Sequence, residues 1–176
     1  INVSSSLCKA FELCLNQSLI SYLELHGLIP SSQYGFRKGR SVTSQLISTF
    51  DEISASLAKN VPIYCVLLDW RSAFDSPPAP KARAKFESVG IVSPTLDWLF
   101  DFISHRESIV RIGSEMAPAF RVASGFCQGS PISTTCWNIY VSDLQRLLAS
   151  LDVSHYFYAD DLKIVSPSAK SIQVWK

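Results

Sequence analysis

The stretch from Val153 to Val165 reads VSHYFYADDLKIV. Val153 to Tyr158 and Leu162 to Val165 are short runs rich in β-branched and aromatic residues, with the acid pair Asp160-Asp161 between them. Such runs around a tight polar break predict two strands and a turn. By itself an Asp-Asp pair in a hairpin is commonly only turn chemistry, because Asp tolerates turn geometry. A third acid changes the weighting. Upstream, Ile63 to Leu68 (IYCVLL) is a continuous apolar run of the kind that suits a buried strand, and it ends on Asp69. If these strands are neighbours, Asp69, Asp160 and Asp161 meet at one rim of a small sheet. Carboxylates that close repel unless a cation sits between them. Hard oxygen ligands suit Mg2+, which keeps part of its water shell and takes substrate phosphates. Two such ions about 3.5–4 Å apart can serve phosphoryl transfer.

Working outward, helices alternate with these strands. Cys8 to His26 has helical periodicity, with Leu7, Phe11, Leu15, Ile20, Leu23 and Leu25 as the apolar stripe and Gly27 as a stop. Leu28 to Arg40 is turn-rich. Val42 to Lys59 fits a helix capped by Ser41, and Pro62 breaks it. Pro77 or Pro78 opens another helix through Val89, closed by Gly90. Thr95 to Ser104 is the next. Glu107 to Ile112 and Ala119 to Ala123 can pair as a hairpin around Gly113, Gly125 to Ser130 is a loop, and Pro131 to Ala149 is the longest helical candidate.

The whole chain has 176 residues, of which 47% are hydrophobic and 18% charged, so it is globular and holds one compact domain or one and a half small ones. The formal net charge of +1 excludes a strong global field toward polyanions. Any nucleic acid must be held by local basic patches. Cys8, Cys14, Cys65, Cys127 and Cys136 are odd in number, with no CxxC pair and no His at ligand spacing, which argues against a disulfide framework or a zinc site and for a reducing, intracellular compartment. No apolar run reaches the ~18 residues of a membrane span, so no membrane partner is expected. Trp70, Trp98, Trp137 and Trp175 read as packing, and Lys81, Arg83, Lys85, Asp51, Glu52, Asp97 and Asp101 as helix surface. The chain opens on Ile1 without a Met and stops on Lys176, and it reads as a piece of something longer.

Four motifs stand in a telling order. Tyr158-Ala159-Asp160-Asp161 resembles the YADD signature of reverse transcriptases, above all those of non-LTR (LINE-type) retrotransposons. Leu68 to Asp75 (LDWRSAFD) is similar to the family's first palm motif, LDxxxAFD. Ser124 to Pro131 (SGFCQGSP) resembles the second, SGVPQGSxL, although Phe126-Cys127 replaces the usual Val-Pro. Ser133-Thr134 stands where Ser-Pro is usual, and Pro77, Pro78 and Pro80 fall where the family has a polar turn and a helix start. Gln33 to Ser41 (QYGFRKGRS) resembles the fingers motif QFGFRxGRS, and Ile1 to Glu12 the tail of the preceding block.

The resemblance implies an α+β fold: a right-hand polymerase palm, that is, a small antiparallel sheet backed by helices, with partial helical fingers. Residues 1–60 would be fingers and 61–176 palm, cut before the thumb. It implies RNA-directed DNA polymerase chemistry, in which a primer 3′-hydroxyl attacks the α-phosphate of a dNTP. Asp69, Asp160 and Asp161 would be the catalytic acids and hold two Mg2+ ions, with Mn2+ as a substitute. Phe74 would lie under the sugar and exclude a 2′-hydroxyl, a specificity by clash. Gln128 and Gly129 would line the nucleotide and template pocket, and Arg37 would sit over the triphosphate or template, where a planar guanidinium donates to phosphate in pairs. Tyr158, Lys38 and Arg40 would meet primer and template. Asp75 fits a structural part better than a metal ligand. RNA template, DNA primer and dNTP are the implied partners, with a thumb and an endonuclease domain elsewhere in the same polyprotein, in the nucleus or a nucleoprotein particle. Without a thumb, and with little net charge to neutralise phosphates, this stretch alone is expected to polymerise poorly. Two alternatives stay open: a non-catalytic remnant or RNA-binding module derived from the family, and an intron- or retron-type reverse transcriptase.

Overall fold

The computed structural model describes residues 3–151 and 153–167. In chain order the elements are α1 (Ser6–Leu25), α2 (Val42–Ala58), β1 (Tyr64–Leu68), α3 (Ala79–Ser88), α4 (Thr95–Ser104), β2 (Arg106–Ser108), β3 (Arg111–Ile112), β4 (Glu115–Met116), β5 (Phe120–Val122), α5 (Ser133–Tyr140), α6 (Ser142–Ser150), β6 (Ser154–Tyr158) and β7 (Asp161–Ser166). The chain forms two compact units, each drawn from two segments: Ile1–Leu25 with Ser72–Tyr140, and His26–Arg71 with Val141–Lys176. No helix among the described residues is long and apolar enough to cross a membrane.

The second unit carries the three-stranded sheet. Its order is β1-β7-β6, antiparallel throughout. Tyr158 pairs with Asp161, so Ala159 and Asp160 form a two-residue hairpin turn. Phe157, Leu162, Ile164, Val153 and Leu148 bury together on one face, with Trp70 stacked on Phe157 at 6.0 Å between ring centroids. The strands predicted from the sequence are all present, but β1 is not buried. Among the described residues it is an edge strand bonded only to β7, and Leu67 is 73% exposed. An apolar run reports β propensity and says nothing about which faces are covered. Helix α2 starts as its cap predicts: the Ser41 hydroxyl accepts from the Ser44 N–H at 3.1 Å, and the Ser44 hydroxyl accepts from the Ser41 N–H at 2.9 Å.

The first unit packs α1, α3, α4 and α5 with two small strand pairs. The buried face of α1 is Glu12, Leu19 and Leu23. The expected stripe is therefore partly wrong: Leu7 and Leu25 are 83% and 82% exposed. At about 100° per residue they lie far round the helix from Leu19 and Leu23. The predicted hairpin forms in two tiers, β2 with β5 and β3 with β4 around Gly113. Between the tiers two residues, Ile109 and Val110, face three, Ala117 to Ala119. Pro118 has no N–H to continue a ladder, so the pairing breaks there. The single helix expected over Pro131 to Ala149 is two, α5 and α6, broken at Val141. The run Trp137 to Val141 is aromatic and β-branched at four of its five positions, a composition with weak helix propensity. The longest helix is α1, at 20 residues.

Candidate active site

The acids named from the sequence are all in the second unit, at one end of its sheet. Leu68 pairs with Leu162, so Asp69, which follows Leu68, and Asp161, which precedes Leu162 and pairs with Tyr158, lie at the same end of the sheet. Asp160 occupies the turn between β6 and β7. Asp69 and Asp161 are exposed and Asp160 half-buried. Among the described residues no donor or cation is bonded to any of the three, and no three His, Cys, Asp or Glu groups are gathered tightly enough to form a metal centre. The donor set still fits a hard divalent ion: carboxylate oxygens with no cation bonded to them among the described residues.

The turn itself is unusual. Ala159 has φ +57, a left-handed conformation at the first turn position, where hairpins of this kind favour glycine. The segment Ser32 to Gly35 lies alongside it. Phe157 N–H donates to the Ser32 carbonyl at 2.8 Å, and Tyr34 N–H donates to the Phe157 carbonyl at 2.9 Å, a parallel bridge onto the edge of β6. Gly35 comes so close that a Cβ there would sit 2.2 Å from the Ala159 nitrogen. The fingers-like motif is thus the backing of the acidic turn, a contact that sequence order does not reveal.

The basic residues of that motif are engaged locally. Arg37 Nη1 donates to the Pro30 carbonyl at 2.8 Å, and Arg40 Nη1 donates to the Ser31 carbonyl at 2.7 Å with its guanidinium 4.8 Å from the Tyr34 ring centroid. Lys38 is exposed, and Tyr158 is half-buried at the last rung of the hairpin. Helix α2 is tied to the hairpin by the Tyr156 hydroxyl, which donates to Glu52 at 2.6 Å, and by Lys163 Nζ, which donates to Gln45 at 3.4 Å. Burial, and then the bond to Glu52, push the Tyr156 phenol well above its usual range.

Phe74, Gln128 and Gly129 belong to the first unit. Phe74 is half-buried and stacks on Trp137 at 5.5 Å and 27°. Its carbonyl accepts from the Phe126 N–H at 2.6 Å, and the Pro77 carbonyl accepts from the Gly125 N–H at 2.9 Å. These bonds lay the loop from Ser124 to Pro131 against the segment from Phe74 to Pro78. Gln128 Nε2 donates to Asp75 Oδ2 at 2.9 Å. Gly129 is exposed.

Three residues that anchor this loop escaped sequence reading. Arg106 Nη2 donates to the carbonyls of Ser124 and Gly125, at 2.7 and 2.8 Å. Glu12, fully buried on α1, accepts from the Ser130 hydroxyl and from the Cys8 thiol, and Asn16 Nδ2 donates to the Pro131 carbonyl at 3.1 Å. The bond to Glu12, and then burial, push the Cys8 thiol up. An acid in phase with Leu19 and Leu23 was the available signal for Glu12. A cavity of about 960 Å3 opens beside this loop, bordered by Glu12, Asp75, Arg106, Phe126 and Cys127.

A family model described as reverse transcriptase (RNA-dependent DNA polymerase) matches residues 1–175. The chain belongs to the reverse transcriptase family. This reverse transcriptase chain is 26% identical over 151 residues to the probable RNA-directed DNA polymerase from transposon X-element of Drosophila melanogaster, covering 86% of this chain and 16% of the relative. It is 28% identical over 170 residues to the RNA-directed DNA polymerase from mobile element jockey of Drosophila funebris, covering 93% and 18%. These relatives and the four motifs place it with the non-LTR, LINE-type members. The chain spans less than a fifth of the length of either relative. Among solved structures, telomerase from Candida tropicalis in complex with the TWJ fragment of telomeric RNA matches with a TM-score of 0.71 at 14% identity, over 93% of this chain and 30% of that one. Telomerase from Candida albicans in the corresponding complex gives 0.67 at 13%, over 93% and 31%. That likeness carries the fold, the α+β palm expected from the sequence.

Proposed function

We propose that this chain is the catalytic part of an RNA-directed DNA polymerase, joining a dNTP to a primer 3′-hydroxyl on an RNA template. The observation that carries the reading is the placement of Asp69, Asp160 and Asp161 at one end of the β1-β7-β6 sheet, three carboxylates with no bonded partner among the described residues. Enzymes of this family work with divalent metal. Mg2+ or Mn2+ held by these carboxylates would supply Lewis-acid activation of the hydroxyl and charge neutralisation at the phosphate.

The chain's own residues do the rest. Asp160 and Asp161 bring acceptor oxygens to the same end of the sheet as Asp69, which follows β1. Phe74, which stacks on Trp137, is the residue assigned to the sugar, where its ring would exclude a 2′-hydroxyl. Gln128, held by Asp75, and Gly129 border the nucleotide. Arg37 releases the Pro30 carbonyl to reach a triphosphate, while Lys38, Arg40 and Tyr158 meet primer and template. Residues 1–60 act as fingers and 61–176 as palm.

The test is primer extension on an RNA template with dNTPs and Mg2+, using this chain joined to the flanking sequence its longer relatives possess. Synthesis is expected in the wild type and lost in Asp69→Asn and in Asp160→Asn. Synthesis that persists in both variants would refute the reading.

A further inference from the structure

We propose that Gln33 is a positioning residue for the catalytic turn: its buried carboxamide holds Ala159 in its left-handed conformation and so sets the direction of the Asp160 carboxylate. The proposal rests on the polymerase reading of Asp160. Gln33 is fully buried. Its Oε1 accepts from the Ala159 N–H at 3.1 Å and from the Gly35 N–H at 2.8 Å, and its Nε2 donates to the Ala159 carbonyl at 3.3 Å. Two N–H groups face the amide oxygen and one carbonyl faces the amide nitrogen, so the neighbours fix the orientation of the carboxamide. Both backbone polar groups of Ala159, itself only 8% exposed, are bonded by this one side chain.

The turn needs such a clamp. An L-residue with a Cβ disfavours φ near +57, and a two-residue hairpin with this sign pattern places glycine there by preference. At the comparable turn between β3 and β4 that position is Gly113, with φ +62. At the acidic turn it is alanine. Strain of this kind persists only where the surroundings over-determine the backbone. Gln33 supplies that constraint, and Gly35, with no side chain, lets it come near enough. Groups that orient a ligand through its neighbours commonly change metal affinity by 10–100-fold when removed.

The experiment uses this chain with Mn2+ as the probe. Binding is followed by electron paramagnetic resonance, and hydrogen exchange of the Ala159 amide by NMR. Wild type is compared with Gln33→Met, Gln33→Met combined with Ala159→Gly, and Asp160→Asn. In Gln33→Met the Ala159 amide is expected to exchange about tenfold faster or more, with the α2 and α6 amides unchanged, and the Mn2+ dissociation constant to rise about tenfold. Ala159→Gly added to Gln33→Met is expected to restore part of the Mn2+ affinity, because glycine adopts the turn unaided. That rescue separates positioning from a merely structural role. Should Gln33→Met fail to fold, Gln33→Asn, which draws the amide back by one methylene, is read in the same way. Unchanged Mn2+ affinity in a folded Gln33 variant overturns the proposal, whether or not exchange quickens. Wild-type Mn2+ binding that is absent, or indifferent to Asp160→Asn, overturns the polymerase reading beneath it, and the Asp160 variant makes that failure distinguishable from the first.

Discussion

Replacing Gly125 by alanine tests the close apposition of the two palm-motif segments in the first unit. An ideal Cβ on Gly125 would lie 2.6 Å from the Asp75 carbonyl oxygen and 2.8 Å from the Asp75 carbonyl carbon and Cα. All three contacts are backbone, so no flexible side chain can swing away. Gly125 also has φ +78, which costs an L-residue about 1–2 kcal/mol. Forcing an extra carbon into packed backbone costs about 1–3 kcal/mol. Losing glycine's freedom in the unfolded chain returns about 0.4–1 kcal/mol. The net destabilisation is roughly 1–5 kcal/mol, a large share of an ordinary domain's about 5–15 kcal/mol. Gly113→Ala is the matched control, because Gly113 has φ +62 but nothing within 4 Å of its Cβ position. Strain less the entropy gain makes that variant cost about 0–1.5 kcal/mol. Urea unfolding at unchanged m-value reads both. If Gly125→Ala is no more destabilising than Gly113→Ala, the backbone apposition of Gly125 and Asp75 is wrong.

Three further outcomes are expected. Phe157→Ala removes the centre of the sheet's packed face and should cost about 3–5 kcal/mol by urea unfolding; a loss under about 1 kcal/mol would mean that this cluster is not the core of the second unit. The Asp97 carboxyl is held below its ordinary value by the Ser93 hydroxyl and then by Arg83, whose Nη2 stands 2.9 Å away. A folded-state value depressed below the unfolded one means that the contribution is present above the unfolded value and is lost as pH falls through the folded one. NMR titration should therefore show Asp97 moving up toward its ordinary value in Ser93→Ala and in Arg83→Ala; no movement in either would contradict the arrangement. Phe74→Ala should raise rNTP use relative to dNTP in primer extension, and an unchanged preference would remove Phe74 from the sugar site.

Much of this protein is legible in its residues because the signals are local. Strand propensity around Asp160-Asp161, the Ser41 cap and the break at Pro62 each depend on a few neighbours along the chain, and the structure has these elements within a residue or two of where they were expected. The candidate acids follow from the same logic: an acid at the end of an apolar strand is visible without a fold. Their arrangement at one end of a sheet was a conditional statement until the β1–β7 register supplied the condition.

What tertiary structure alone decided is coverage and long-range partnership. Leu67 and Leu25 look as apolar as Leu162 and Leu23, yet the first two face outward and the second two are buried. Hydrophobicity gives a residue's cost in water, whereas the neighbour that covers it is chosen by packing. Glu12 lies 118 positions from Ser130, and Gln33 lies 126 from Ala159. No periodicity reaches across such separations. A buried polar group takes whatever partner the fold brings within about 3 Å, so these bonds belong to the folded molecule and not to any stretch of its sequence.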